Sequence, residues 1–181
     1  MRRWPVIAFA TIALGALSGA AAYQHAGSFQ HEGNGEWREI AWPFPRDGWP
    51  AGKAFRCDGC GGDVAIYLRP KIGFCNCDRG IADDDEVDRV ADVDLINERF
   101  VPVSSGQVVR VADMPGRIRA YELPPAASTR HAVGIAVSRR CDLLVAVAHG
   151  NGDASEIGRA ALAFLATNEM TRWVIAAMEE R

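Results

Sequence analysis

Residues 107–114 (QVVRVADM), 116–123 (GRIRAYEL), 130–137 (RHAVGIAV) and 142–149 (DLLVAVAH) follow one another with only short breaks. Valine and isoleucine dominate these runs, and such β-branched residues suit a pleated, half-buried surface. Met114-Pro115-Gly116 and Leu123-Pro124-Pro125 punctuate them, as turn residues do between strands. Neighbouring strands with short connections pair antiparallel, because a parallel pair needs a crossover of a dozen or more residues.

Working back toward the N-terminus, residues 53–77 add KAFRC, DVAIYLRP and KIGFCNC, three further strand-like runs. Within the second, Ala65, Tyr67 and Arg69 alternate with Val64, Ile66 and Leu68, the two-residue period of a strand. Gly59, Gly61 and Gly62 mark a turn between the first two runs. Pro70 predicts a turn or an edge position after Arg69. Residues 37–50 (WREIAWPFPRDGWP) hold Pro43, Pro45 and Pro50, which forbid a regular helix. Their Trp37, Trp42, Phe44 and Trp49 predict aromatic surface laid over the core, with docking of a partner as the alternative.

Two segments carry helix signals. Asp83 followed by Glu86 has capping-box spacing, and Val87 and Val90 then face inward from a short helix. Asp153 and Glu156 repeat that spacing. Ile157, Ala160, Ala161, Phe164 and Leu165 follow on one helical face, with a break or restart at Thr167-Asn168 and a second stripe through Met170, Trp173, Val174 and Ala177. The expected fold is therefore α+β: a mostly antiparallel sheet of five to seven strands with a C-terminal helical segment packed on one face, in a two- or three-layer sandwich. In outline alone this is similar to the sandwich of the PsbP and Mog1 families. No motif matches them residue by residue, so no functional residue is carried over.

The N-terminus gives a compartment. Arg2 and Arg3 precede an almost wholly apolar stretch, Trp4 to Leu17, and Ser18-Gly19-Ala20-Ala21-Ala22 closes it with small residues. Charged start, apolar middle and an Ala-x-Ala end before Tyr23 are the pattern of a cleaved secretory signal, here residues 1–22. An uncleaved membrane anchor is the alternative, since Trp4–Ala22 approaches the ~20 residues that span a bilayer. Residues 23–36 read as a flexible lead-in and residues 37–181 as a single exported domain, periplasmic or secreted. With 23 acidic against 20 basic residues the chain carries a formal charge of −3. A mildly acidic body offers a phosphate backbone no attraction, which argues against nucleic acid as a partner. The sequence names no other partner.

Five cysteines stand at 57, 60, 75, 77 and 141. In an oxidising compartment they predict disulfides, with one sulfur left over. One bond is expected within or near Cys57 and Cys60, and another from Cys75 or Cys77 to Cys141, the pairing being open. The second reading is a tetrahedral zinc or reduced-copper site on Cys57, Cys60, Cys75 and Cys77, because each short pair can aim two thiolates at one point. Against it, zinc ribbons usually repeat a two-residue gap, and Cys75-x-Cys77 has a gap of one. The third is thiol–disulfide catalysis, with Cys57 attacking, Cys60 resolving and Arg56 favouring the thiolate, although no helix starts at Cys57 to lower its pKa.

Three other features invite chemistry. Asp83, Asp84, Asp85, Glu86, Asp88, Asp92 and Asp94 crowd into twelve residues, yet lack the alternation and central glycine of a calcium loop and suit a helix start better. His149-Gly150-Asn151-Gly152 precedes a helix, where free amides can hold phosphate. Ser155 stands where a dinucleotide fingerprint needs Gly or Ala, so a capped connection is the simpler reading. No nucleophile-elbow pattern is present. The sum is a disulfide-stabilised exported domain with a binding or envelope-associated role, more in keeping with no catalysis than with an enzyme, and with no cofactor beyond the metal alternative.

Overall fold

The computed structural model describes residues 35–45, 47–50, 52–74, 76–124 and 130–179. The expected signal (1–22), nearly all of the lead-in and Cys75 lie outside the described residues. The strands are β1 (Trp37–Ile40), β2 (Lys53–Cys57), β3 (Val64–Lys71), β4 (Val101–Pro102), β5 (Gln107–Val111), β6 (Met114–Glu122), β7 (His131–Arg139) and β8 (Asp142–Gly150). The helices are α1 (Asp84–Val90), α2 (Ala154–Leu165) and α3 (Asn168–Glu179), with a single 3-10 turn at Val93–Leu95.

All eight strands form one antiparallel sheet, in the order β1-β2-β3-β8-β7-β6, with β4 and β5 both paired to the outer side of β6. The fold is the α+β class expected, with eight strands where the pattern led to five to seven. Two strands come from segments without a clear alternation: β1 from the Trp- and Pro-rich stretch, and β4, only two residues long. Conversely, KIGFCNC does not form a strand of its own among the described residues, only its Lys71 belonging to β3. β3 ends at Lys71, and Gly73 turns the chain with a left-handed φ of 69°. Pro70 lies within β3, opposite Leu144, rather than at a turn. β2 reaches only as far as Leu68, so from Arg69 onward β3 has an open side, where a missing N–H forfeits no ladder bond.

Both faces of the sheet are covered, which explains why β7 and β8 read as nearly continuous apolar runs. On one face Ile66, Leu68, Val133, Ile135 and Leu144 pack against Ile157, Phe164 and Leu165 of α2 and Met170 and Val174 of α3. On the other, Val145 and Val147 lie under Val87 and Val90 of α1, Ala91 and Val93. Val87 and Val90 are buried as their spacing predicts. The result is a three-layer sandwich. Gly134 permits close contact on the α1 side, since a Cβ there would stand 2.9 Å from Ala91 Cβ.

Local signals place the ends of the helices. Asp83 accepts from the Glu86 amide at 3.0 Å, and Glu86 Oε2 accepts from the Ala82 amide at 2.6 Å. Thr167 separates α2 from α3, its hydroxyl donating to Phe164 O at 2.8 Å. The expected aromatic layer is also present. Trp37 stacks on Phe164 at 4.5 Å between ring centroids, Phe44 meets Tyr67 edge-on at 4.8 Å, and Trp49 meets Phe74 at 5.2 Å. Among the described residues no helix is long and apolar enough to cross a membrane.

Candidate functional site

The cysteines fall at opposite ends of the sheet. Cys57 closes β2 and Cys60 sits in the glycine turn that follows; they form one disulfide, with Cα atoms 5.7 Å apart. Cys77 lies in the excursion after β3 and Cys141 in the β7–β8 turn; they form the second, with Cα atoms 4.3 Å apart. Val64, opposite Cys57, and Lys71, opposite Leu143, are seven residues apart along β3. At ~3.3 Å per strand residue the two pairs stand roughly 23 Å apart. Cys57 and Cys60 therefore do not converge with Cys77 on one metal ion in this fold. Cys75, the fourth ligand of that reading, lies outside the described residues. Among them, no group of three His, Cys, Asp or Glu side chains could hold a metal ion.

At the Cys57-x-x-Cys60 end the attacking sulfur is covered and Cys60 is half-buried. Cys57 is completely buried. The backbone of Gly35 lies against both sulfurs, so a Cβ at that position would collide with Cys57 Sγ and stand 2.6 Å from Cys60 Sγ. Arg56, the expected activating cation, pairs instead with Asp58 at 3.3 Å on the surface. A strand, not a helix N-terminus, leads into Cys57. The attacking-thiol role thus lacks both access and electrostatic support here. The other disulfide differs in setting: Cys77 is exposed and lines a cavity of about 320 Å³, while Cys141 is half-buried. Under graded reductant, Cys77–Cys141 is expected to open first, with Cys57–Cys60 held until the fold is lost. Differential alkylation with mass readout checks the order, and earlier labelling of Cys57 would contradict it.

Three of the seven acids in the cluster, Asp84, Asp88 and Asp92, form one side of an ion-pair ladder. Asp84, Asp88 and Asp92 recur every four residues, so they share the side of α1 and its exit that faces the sheet. Asp84 accepts from Arg117 Nη2 at 2.6 Å and from the Gly106 amide at 2.9 Å. Its carboxyl is held below the usual range by that amide first and Arg117 second. Asp88 accepts from Arg119 Nη1 at 2.8 Å and from Tyr121 Oη at 2.7 Å. Burial and this bond to a carboxylate both push the Tyr121 phenol up. Asp92 accepts from Arg69 Nε at 2.7 Å and from Lys71 Nζ at 2.6 Å. Arg69 then clasps Asp47 with two bonds of 2.8 Å, and this pulls the Asp47 carboxyl down to about 2. These oxygens are occupied by cations of the same chain. The four-residue period of the acids and the Arg117/Arg119/Tyr121 alternation on β6 are the sequence signals for the ladder.

The glycine loop before α2 is a capped connection. Asp153 accepts from the amides of Ser155 at 2.8 Å and Glu156 at 2.9 Å, taking the donors a phosphate would use. Gly62 O accepts from the Asn151 amide at 2.9 Å, binding this loop to the glycine turn after Cys57. His149 stacks on Tyr67 with ring centroids 5.8 Å apart and planes at 15°. Burial lowers its pKa from 6.5, and Arg130 and Arg56 lower it further. Unfolding releases this restraint. As pH falls below about 6.5 the unfolded chain takes up a proton that the folded chain refuses, so stability declines. We expect the unfolding midpoint in urea to fall between pH 7.5 and 5.5, and to fall less in His149→Phe. An equal fall in both proteins would contradict this.

No family model and no curated protein matches the chain. Among solved structures it is similar to PA94 from Pseudomonas aeruginosa, a protein of unknown function, at 11% identity and a TM-score of 0.32. That likeness covers 84% of this chain and 87% of the other.

Proposed function

We propose that the chain is an exported domain, locked by two disulfides, that acts by binding outside the cytosol rather than by catalysis. The observation that carries this reading is the pair of bonds Cys57–Cys60 and Cys77–Cys141 at the two ends of the sheet. Disulfides persist in oxidising compartments and are rare where thiols are kept reduced. The charged, apolar and small-residue order of residues 1–22 supports the same compartment. Support for binding over catalysis comes from what the reactive side chains already do. Asp84 and Asp88 of α1 pair with β6, Asp92 beyond the helix pairs with β3, Asp153 caps α2, and His149 stacks on Tyr67.

Fractionation of producing cells, with the intact mass of the recovered chain, tests the reading. A protein that begins at Tyr23 and lies outside the cytosol is the expected result. Full-length, fully reduced protein among the soluble cytosolic components would overturn it.

A further inference from the structure

The exposed disulfide stands in the wall of a charged cavity. The space of about 320 Å³ is lined by Cys77, Asp78, Arg79, Asp113, Arg139 and Arg140, among others. Its volume lies at the lower end of the ~300–1,000 Å³ typical of small-molecule sites. Its lining brings guanidinium and carboxylate side chains together, Arg79 beside Asp78 in the sequence among them, so both charges that a zwitterion needs are present. Arg139 donates through Nη2 to Glu179 at 3.0 Å, and its Nη1 is buried without an acceptor among the described residues.

The turn that presents Cys77 is held independently of the disulfide. Asn76 Oδ1 accepts from the amides of Asp78 at 2.9 Å and Arg79 at 3.3 Å, and Asn76 O accepts from the Gly80 amide at 2.8 Å. Gly80, with φ of 60°, seats this turn on β7 so closely that a Cβ would collide with Ser138 Oγ. These contacts keep the cavity wall in place when the sulfur bond opens.

We propose that Cys77–Cys141 is a thiol-exchange site that captures a small zwitterionic thiol, of the amino-acid or short-peptide class, on Cys77. The incoming thiolate forms a sulfur–sulfur bond to Cys77 Sγ. The Cys77–Cys141 bond breaks with its electron pair on Cys141 Sγ, which takes up the proton the incoming thiol lost. One disulfide replaces another, so no oxidant or reductant is consumed, and attack by Cys141 on the mixed disulfide releases the ligand. The proposal goes beyond export and binding in general, and it requires that Cys77 and Cys141 be bonded at the outset.

The test starts from oxidised protein whose free thiol has been blocked with iodoacetamide, the number of blocked sulfurs being counted by mass. Blocking of Cys77 at this stage would mean that the disulfide reading itself has failed. Cysteine and 2-mercaptoethanol are then compared at equal thiolate concentration, each rate being taken relative to that of the same thiol on a small linear disulfide so that their unequal intrinsic nucleophilicity cancels, with adducts located by peptide mass. The expected result is an adduct on Cys77 formed about 10-fold faster with cysteine, the advantage of one charge-assisted contact. In Arg79→Gln the two rates draw together. Equal rates for the two thiols in the unaltered protein, or a first adduct at Cys57 or Cys60, would overturn the proposal.

Discussion

Replacing Cys141 with serine is expected to lower the free energy of unfolding by about 4 kcal/mol, whereas Cys60→Ser costs about 2 kcal/mol. The difference follows from loop length. Cys77 and Cys141 are 64 residues apart in sequence, and Cys57 and Cys60 only three. A cross-link that acts by restricting the unfolded chain removes more freedom when it closes a longer loop. The long bridge joins the segment beyond β3 to the β7–β8 turn alongside the bond from the Gly73 amide to Asp142 Oδ1 at 2.7 Å, so its main effect is on the unfolded chain. Urea unfolding of the two variants measures both losses, and the double variant Cys77→Ser/Cys141→Ser should match the single one, since the bond is lost only once. A loss below about 1 kcal/mol in Cys141→Ser would show that the bond does not constrain the unfolded chain as argued.

The second large effect is expected at Asp92. Arg69 and Lys71 expose only 4% and 6% of their side chains, and both donate to this one carboxylate. Removing it strands two buried cations, with Asp47 left for Arg69 and Val90 O for Lys71. Breaking a buried ion pair from one side costs about 3–5 kcal/mol, mostly because a charge is left uncompensated. Asp92 also has a φ of 57°, a left-handed conformation that asparagine tolerates and alanine resists. Asp92→Asn is therefore the cleaner variant, with a loss of about 3 kcal/mol, and Asp92→Ala loses about 1 kcal/mol more through backbone strain. Adding Lys71→Met to Asp92→Asn should recover part of the loss, because an apolar side chain does not require the missing partner. Failure of that recovery would show that the ladder matters for packing and not for charge.

The sheet is legible in the sequence where one rule suffices. β2, β3, β5, β6, β7 and β8 follow from apolar runs broken by turn residues, and α1 and α2 from capping boxes ahead of an apolar face. β1 is hidden because Trp37–Ile40 is too short and too close to proline to show an alternation; its place depends on Trp37 reaching Phe164 across the fold. KIGFCNC resembles a strand because the left-handed turn at Gly73 leaves no mark on the apolar pattern. The ion-pair ladder escapes a sequence reading for a different reason. Asp92 meets Arg69 and Lys71 only through long-range pairing, and single-chain spacing cannot state which stripe faces which. The cysteines show the same limit. Spacing places Cys57, Cys60, Cys75 and Cys77 close in sequence, but seven residues of β3 carry Cys77 to the opposite end of the sheet from Cys57 and Cys60. The sequence allows a link to Cys141 from either Cys75 or Cys77, and the structure selects Cys77.

Peptide mapping without reduction, on protein taken from its own compartment and alkylated at once, tests the central claim most directly. The account predicts one peptide pair joined through Cys77 and Cys141, a second bond between Cys57 and Cys60, and alkylation at Cys75 alone. Five alkylated cysteines, or a bond from Cys57 or Cys60 to Cys77 or Cys141, would contradict it.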